Sequence, residues 1–155
     1  MAHIVKPGMN VDTQLSITQS VHDTVRGLIA DIRARGDGAL REHSQAFDGW
    51  NPPQFRLSAE QIALAVAQVP EEQLASIRFS LEQVRTFARA QRASIHDVEI
   101  ETIPGVTLGH RVLPVNSVAC YVPGGRYPMI ASAIMSVATA KVAGVPRVVA
   151  VTPPK

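Results

Sequence analysis

A chain of 155 residues, 46% of them hydrophobic and 18% charged, carries enough apolar content to build a core, which excludes a disordered protein. The 15 Lys and Arg against 13 Asp and Glu leave a formal charge of +2, too small an excess to call for nucleic acid or another polyanionic partner. The one cysteine, Cys120, rules out an internal disulfide and suits a reducing compartment, and the five histidines are too scattered to pair as metal ligands.

Residues 1–15 contain Pro7 and Gly8, lack a clear period, and read as an amino-terminal arm with no apolar run of signal-peptide length. From Ser16, Ile17, Val21, Val25, Leu28, Ile29 and Ile32 recur at helical spacing, and Gly36 follows the basic ARAR end as a carboxyl-terminal cap. Asp37 can cap a short second helix that carries Leu40 and Phe47 inward, and DGWNPP breaks it. Ser58 with Gln61 resembles a capping box opening a third helix through Ile62, Ala65, Val66 and Val69. Pro70 suits the start of a fourth helix, on which Leu74, Ile77, Leu81, Val84 and Phe87 form an apolar stripe.

Near Ser94 the period changes to two. DVEIETIPGVTLGHRVLPV alternates, turns at Pro104 and Gly105, and reads as a hairpin. A buried strand follows at Val118 to Val122, then the PGGR loop, a helix with Pro128 in its first turn running to about Ala143, a stop at Gly144, and a last strand, RVVAVT. This is a βαβ unit. Two parallel strands and one helix cannot cover both faces of a sheet, so the expected setting is the front of a larger architecture or a sheet completed by another chain. The longest apolar stretch, Met129 to Val145, is interrupted by Ser132, Ser136, Thr139, Lys141 and Gly144, and the expectation is a cytoplasmic protein without a membrane span.

The candidate site is YVPGGRY, Tyr121 to Tyr127. A strand end facing a helix start is the crevice where doubly wound sheets bind ligands, but PGGR is not G-x-G-x-x-G, and a plain turn remains open. Tyr121 could serve core or site, and Arg126 could meet a phosphate or sulfonate or stand as a solvated loop arginine. Cys120, on the opposite face of its strand, reads as a buried structural thiol. Ser132 and Ser136, four apart, could face a ligand; close packing is the favoured reading. Arg78, Arg85, Arg89 and Arg92 form a stripe that reads as the solvated back of the fourth helix, with a polyanion groove as the alternative. His22, His43 and His110 read as surface or satisfied residues.

Taken together, ARGDGALREHSQAFD (Ala34 to Asp48), the PGV turn (Pro104 to Val106) and YVPGGRYPMIASAIMSVATAKVAGVPRVVAVTPP (Tyr121 to Pro154) resemble the N-terminal third of the histidinol dehydrogenase family, in the same order and separation. The resemblance implies an α/β fold like that of histidinol and aldehyde dehydrogenases, in which N-terminal helices and a hairpin precede the first βαβ unit of an incomplete Rossmann-like sheet. It implies an arm at 1–15, the first part of the first large domain at 16–119, and the start of the second at 120–155. It further implies a zinc-containing, NAD-dependent homodimer that oxidises a primary alcohol through an aldehyde to a carboxylate. Tyr121 then contacts NAD with the Pro123, Gly124 and Gly125 backbone, and Arg126 is the residue to watch for an anionic substrate. The family's Glu-His base pair and zinc ligands lie beyond Lys155, so no catalytic or metal residue carries over and the segment by itself is expected to be inactive. RYPMIASAIMS looks closer to the branch that oxidises sulfopropanediol than to YPSSVLMNAIPA, which a typical histidinol dehydrogenase would carry. The alternative from another class is a non-catalytic helical module that dimerises or binds a polyanion through the arginine stripe.

Overall fold

The computed structural model describes residues 11–124 and 127–154. Among them lie α1 (Val11–Arg35), α2 (Asp37–Asp48), α3 (Ala59–Ala67), α4 (Glu71–Ala93), β1 (Val98–Ile103), β2 (Val106–His110), β3 (Ser117–Tyr121), α5 (Ile130–Val142) and β4 (Arg147–Val151), an α/β chain. It divides between Pro53 and Gln54 into two compact units. The boundary expected at 119/120 falls inside the second of them.

In the first unit, α1 begins at Val11, so the helix extends into the stretch expected as an arm. Gly36 is the junction to α2 with φ +60°, a left-handed value that costs any other residue strain, and it holds the cap position expected for Asp37, which becomes the first helical residue. Ala39 is fully buried, and Leu28, Ile32 and Leu40 are half-buried. Phe47, expected inward, is exposed, as are Val21, Val25 and Ile29 of the periodic set on α1. A pair of helices has only one shared seam, and residues off that seam keep their water contact. Phe47 instead stacks on His43, with ring centroids 6.1 Å apart.

The two helices are tied by charge. Arg35 Nε and Nη2 donate to the two carboxylate oxygens of Asp31 at 2.6 and 2.7 Å, and Arg35 Nη1 donates to Glu42 Oε1 at 2.9 Å. His43 Nε2 lies 2.8 Å from Asp31 Oδ2. The Arg35 fork, opposed in part by burial and assisted by His43, holds the Asp31 carboxyl down at about 2, against an ordinary value of 3.8. Glu42 is lowered for the same reason, by Arg35. A carboxyl held below its unfolded value contributes stability that is fully present above the unfolded value and is lost as pH falls through the folded one. Thermal stability of the α1–α2 unit should therefore decline between about pH 4 and about pH 2, and Asp31→Asn should flatten that part of the profile while lowering the plateau above it. Denaturation midpoints measured across that range check it, and an unaltered slope in the variant would refute the assignment.

In the second unit the capping box forms as expected: Gln61 N donates to Ser58 Oγ at 3.2 Å and Ser58 N to Gln61 Oε1 at 2.8 Å. Ile62, Leu64 and Val66 of α3 are exposed all the same. Pro70 caps α4 instead of opening its first turn. Leu74, Ile77, Leu81 and Val84 are half-buried, but the stripe continues to Ala88, which is buried, and not to Phe87, which is 67% exposed. Ala88 lies seven residues after Leu81 and fourteen after Leu74, on the same seam, whereas Phe87, one position earlier, falls about 100° to the side of it. The partner across the seam is α5.

Behind that seam, Arg78 pairs with Glu71 at 2.6 Å, Arg89 with Glu82 at 3.0 Å, and Arg92 donates to the Ile95 carbonyl at 3.0 Å. These arginines spend their donors within the helix and its cap, the arrangement of a solvated helix back.

The hairpin is antiparallel, Val98 opposite His110 and Ile100 opposite Leu108, with a register shift between Glu101 and Ile103. Gly105 closes the turn at φ +82°, and its amide donates to Glu101 Oε1 at 2.7 Å. Asp97 Oδ1 accepts from the Val112 amide at 2.8 Å and anchors the strand that leaves it.

β3 and β4 form a separate parallel pair in register from Ser117↔Arg147 to Tyr121↔Val151. α5 connects them and packs on both. It starts at Ile130, two residues after the Pro128 expected in its first turn, and Gly144 at φ +84° releases the chain into β4. Buried Ala138, Cys120 and Val145 mark the covered side. Ser136 Oγ donates to the Ser132 carbonyl at 2.6 Å, so its hydroxyl is satisfied within the helix.

Candidate functional site

Because successive strand residues point to opposite faces, Val118 and Cys120 turn toward α5 while Ala119 and Tyr121 turn away. Cys120 is 3% exposed and Tyr121 64%. The thiol is thus part of the packed layer, and the Tyr121 ring stands open at the carboxyl end of its strand. On β4 the matching open positions are Val149 and Val151. The ladder runs one residue past the strands, with the Val122 amide donating to the Val151 carbonyl at 2.7 Å, so both chains leave the sheet at the same level.

Pro123 and Gly124 follow Val122, and Thr152 and Pro153 follow Val151. A Cβ placed on Gly124 would lie 3.3 Å from Pro153 Cδ, 3.5 Å from Pro153 Cγ and 3.6 Å from Thr152 Oγ1. The two exits therefore touch, and a glycine at 124 is what lets them. Gly125 and Arg126 lie outside the described residues. Beyond them Tyr127 is exposed, and Met129 holds the cap position of α5 without a side-chain acceptor, its carbonyl accepting from the Ser132 amide at 3.0 Å. The open ring of Tyr121, the β3 exit and the amino-terminal end of α5, with its partial positive charge, thus lie within ten residues of one another along the chain.

Of the sequence candidates, Tyr121, Pro123 and Gly124 come together at this edge, His110 stays in the hairpin, and His22 and His43 belong to the first unit. His110 Nε2 lies 3.1 Å from the His96 carbonyl in the hairpin, and His43 belongs to the α1–α2 charge network. Thr152 and Pro153 were not singled out as site residues. The available signal was that a parallel partner strand must end beside its neighbour, which places whatever follows β4 against whatever follows β3. No group of three His, Cys, Asp or Glu that could hold a metal occurs among the described residues, and no described helix is long and apolar enough to cross a membrane.

A parallel strand pair joined by a covering helix, with its carboxyl ends meeting a glycine-containing turn, defines an α/β protein of the open-sheet class, whose ligands bind outside the strand ends. Within that class the chain belongs to the histidinol dehydrogenase family, whose family model matches residues 12–155. It is 54% identical over 154 residues to a histidinol dehydrogenase homolog of Shouchella clausii (strain KSM-K16), covering 99% of this chain and 36% of that protein. It is 47% identical over 143 residues to the sulfopropanediol 3-dehydrogenase of Ruegeria pomeroyi, covering 92% of this chain and 33% of that one. Against the histidinol dehydrogenase of Methanosarcina mazei identity is 38% over 135 residues, with 87% and 31% covered. The fold is that of the crystal structure of histidinol dehydrogenase from Elizabethkingia anophelis, with a TM-score of 0.78 at 24% identity over 98% of this chain and 32% of that one. The chain thus spans about a third of the length of the curated relatives it matches.

Proposed function

We propose that this segment is the N-terminal portion of a cytoplasmic, homodimeric, NAD-dependent dehydrogenase that oxidises a primary alcohol through an aldehyde to a carboxylate. The observation that supports it most is family membership over residues 12–155, combined with an open aromatic ring, Tyr121, at the carboxyl end of a parallel strand. The residues fit a dinucleotide as one wall: a flat ring for stacking, a turn at Pro123 and Gly124 with no bulk beyond the backbone at the second position, and a helix end uncapped by any side chain. When bound, NAD supplies the hydride acceptor; the chain supplies position and electrostatics. The part proposed for this segment is to bind and orient the dinucleotide.

The substrate is L-histidinol or a sulfonated diol such as sulfopropanediol. The names of the relatives span both chemistries, and the higher identity to the sulfopropanediol 3-dehydrogenase, 47% against 38% for the Methanosarcina histidinol dehydrogenase, favours the diol. Arg126 would meet the sulfonate, since a guanidinium fork matches the oxygens of such an anion. The test is to express the whole coding region that includes this segment and to follow NADH formation with zinc present and each alcohol in turn. Turnover of sulfopropanediol in preference to histidinol is the expected result. Oxidation of neither, by a folded and zinc-loaded protein, would refute the proposal.

A further inference from the structure

We infer that Pro153, together with Thr152, is a positioning element for the dinucleotide wall, acting through Gly124 on the turn that carries Tyr121. This rests on the reading of that turn as the cofactor site. The two parallel exits are level with one another, fixed by the Val122 amide to the Val151 carbonyl at 2.7 Å, and just beyond it the Pro153 ring and the Thr152 hydroxyl occupy the space beside Gly124 where a side chain would begin. The gap there is closed: a methyl on Gly124 would meet Pro153 Cδ at 3.3 Å, a spacing that requires a neighbour to yield. The neighbour is a pyrrolidine ring, which cannot swing aside as a flexible chain would. Pro153 also lacks an amide hydrogen, so it ends the β4 ladder at the level where β3 ends and commits the exit to this packing. Gly124 and Pro153 are therefore complementary shapes. The carbonyl and amide directions of the Val122 to Gly124 turn, and with them the placement of the Tyr121 ring, depend on a residue some thirty positions further along the chain.

The test uses the full-length dehydrogenase that carries this segment, with NAD as the probe. Pro153→Ala is expected to raise the KM for NAD about fivefold while kcat stays within about twofold, since the change loosens a wall without removing a reacting group. Gly124→Ala is expected to raise it at least as much. The double variant should be less impaired than Gly124→Ala by itself, because losing the ring makes room for the added methyl; contacting residues are where additivity fails. An unchanged KM for NAD in Pro153→Ala overturns the inference, as does a double variant whose effect is the product of the two single ones. Should Gly124→Ala fail to accumulate, Pro153→Ala decides the matter. Tyr121→Ala, run in parallel, separates the two levels. A raised KM there with Pro153→Ala unaffected removes only the positioning role, and an unchanged KM there removes the cofactor-site reading beneath it.

Discussion

Gly109→Ala should destabilise the second unit by about 2–3 kcal/mol, the cost of forcing extra volume into a closed contact. Gly109 lies opposite Glu99 in the hairpin, and a Cβ there would fall 2.2 Å from the Val98 carbonyl oxygen and 3.2 Å from Glu99 Cα. Both obstacles are backbone, so no rotamer change relieves the overlap, and the strands must separate or shift register. A one-residue slip would exchange the two faces of the strand that moves, so that Ile100 and Leu108, now paired on one face, would end on opposite faces. Equilibrium denaturation gives the magnitude, and amide hydrogen exchange at Ile100 and Leu108 gives the location. A variant within about 0.5 kcal/mol of the parent, with hairpin protection intact, would show that the strands tolerate the methyl.

Tyr121→Ala in the full-length enzyme should raise the KM for NAD about tenfold or more. The estimate rests on the ring's situation. It is 64% exposed at the end of β3, it faces away from the α5 layer, and its strand neighbour Cys120 carries the packing on the other side. Removing it should leave stability nearly unchanged while deleting a flat surface that a nicotinamide or adenine ring can stack on. Stacking of a base on an aromatic side chain is worth roughly 1–3 kcal/mol, and each 1.4 kcal/mol is about a factor of ten. Tyr121→Phe separates ring from hydroxyl and should retain most of the affinity if stacking dominates. A KM for NAD unmoved in Tyr121→Ala, in a protein of parental thermal midpoint, would place the cofactor elsewhere.

Local chemistry was legible wherever one residue and its near neighbours decide the outcome. The Ser58–Gln61 capping box, the Pro104–Gly105 turn, the stop at Gly144 and the buried Cys120 all appear where the sequence places them, because each depends on dihedral freedom, short-range hydrogen bonding or strand alternation. Phe47, expected inward, and Phe87, expected on the apolar stripe of α4, both stand exposed. Periodicity shows that a face is apolar, but which residue on it meets a partner depends on where the other helix lies, and at α4 the seam passes through the smaller Ala88.

By itself the sequence determined the order of elements, the α/β character and, through the YVPGG and KVAGV–VTPP blocks, the family, since these follow from periods, caps and local turn residues. Only the tertiary structure decided that the Tyr121 ring is open, that Asp31, Arg35, Glu42 and His43 gather across the Gly36 junction, and that Pro153 lies beside Gly124. Those pairings join residues separated by a helix turn, a junction or a whole crossover helix, and no local rule reaches across such distances; the register of two parallel strands does.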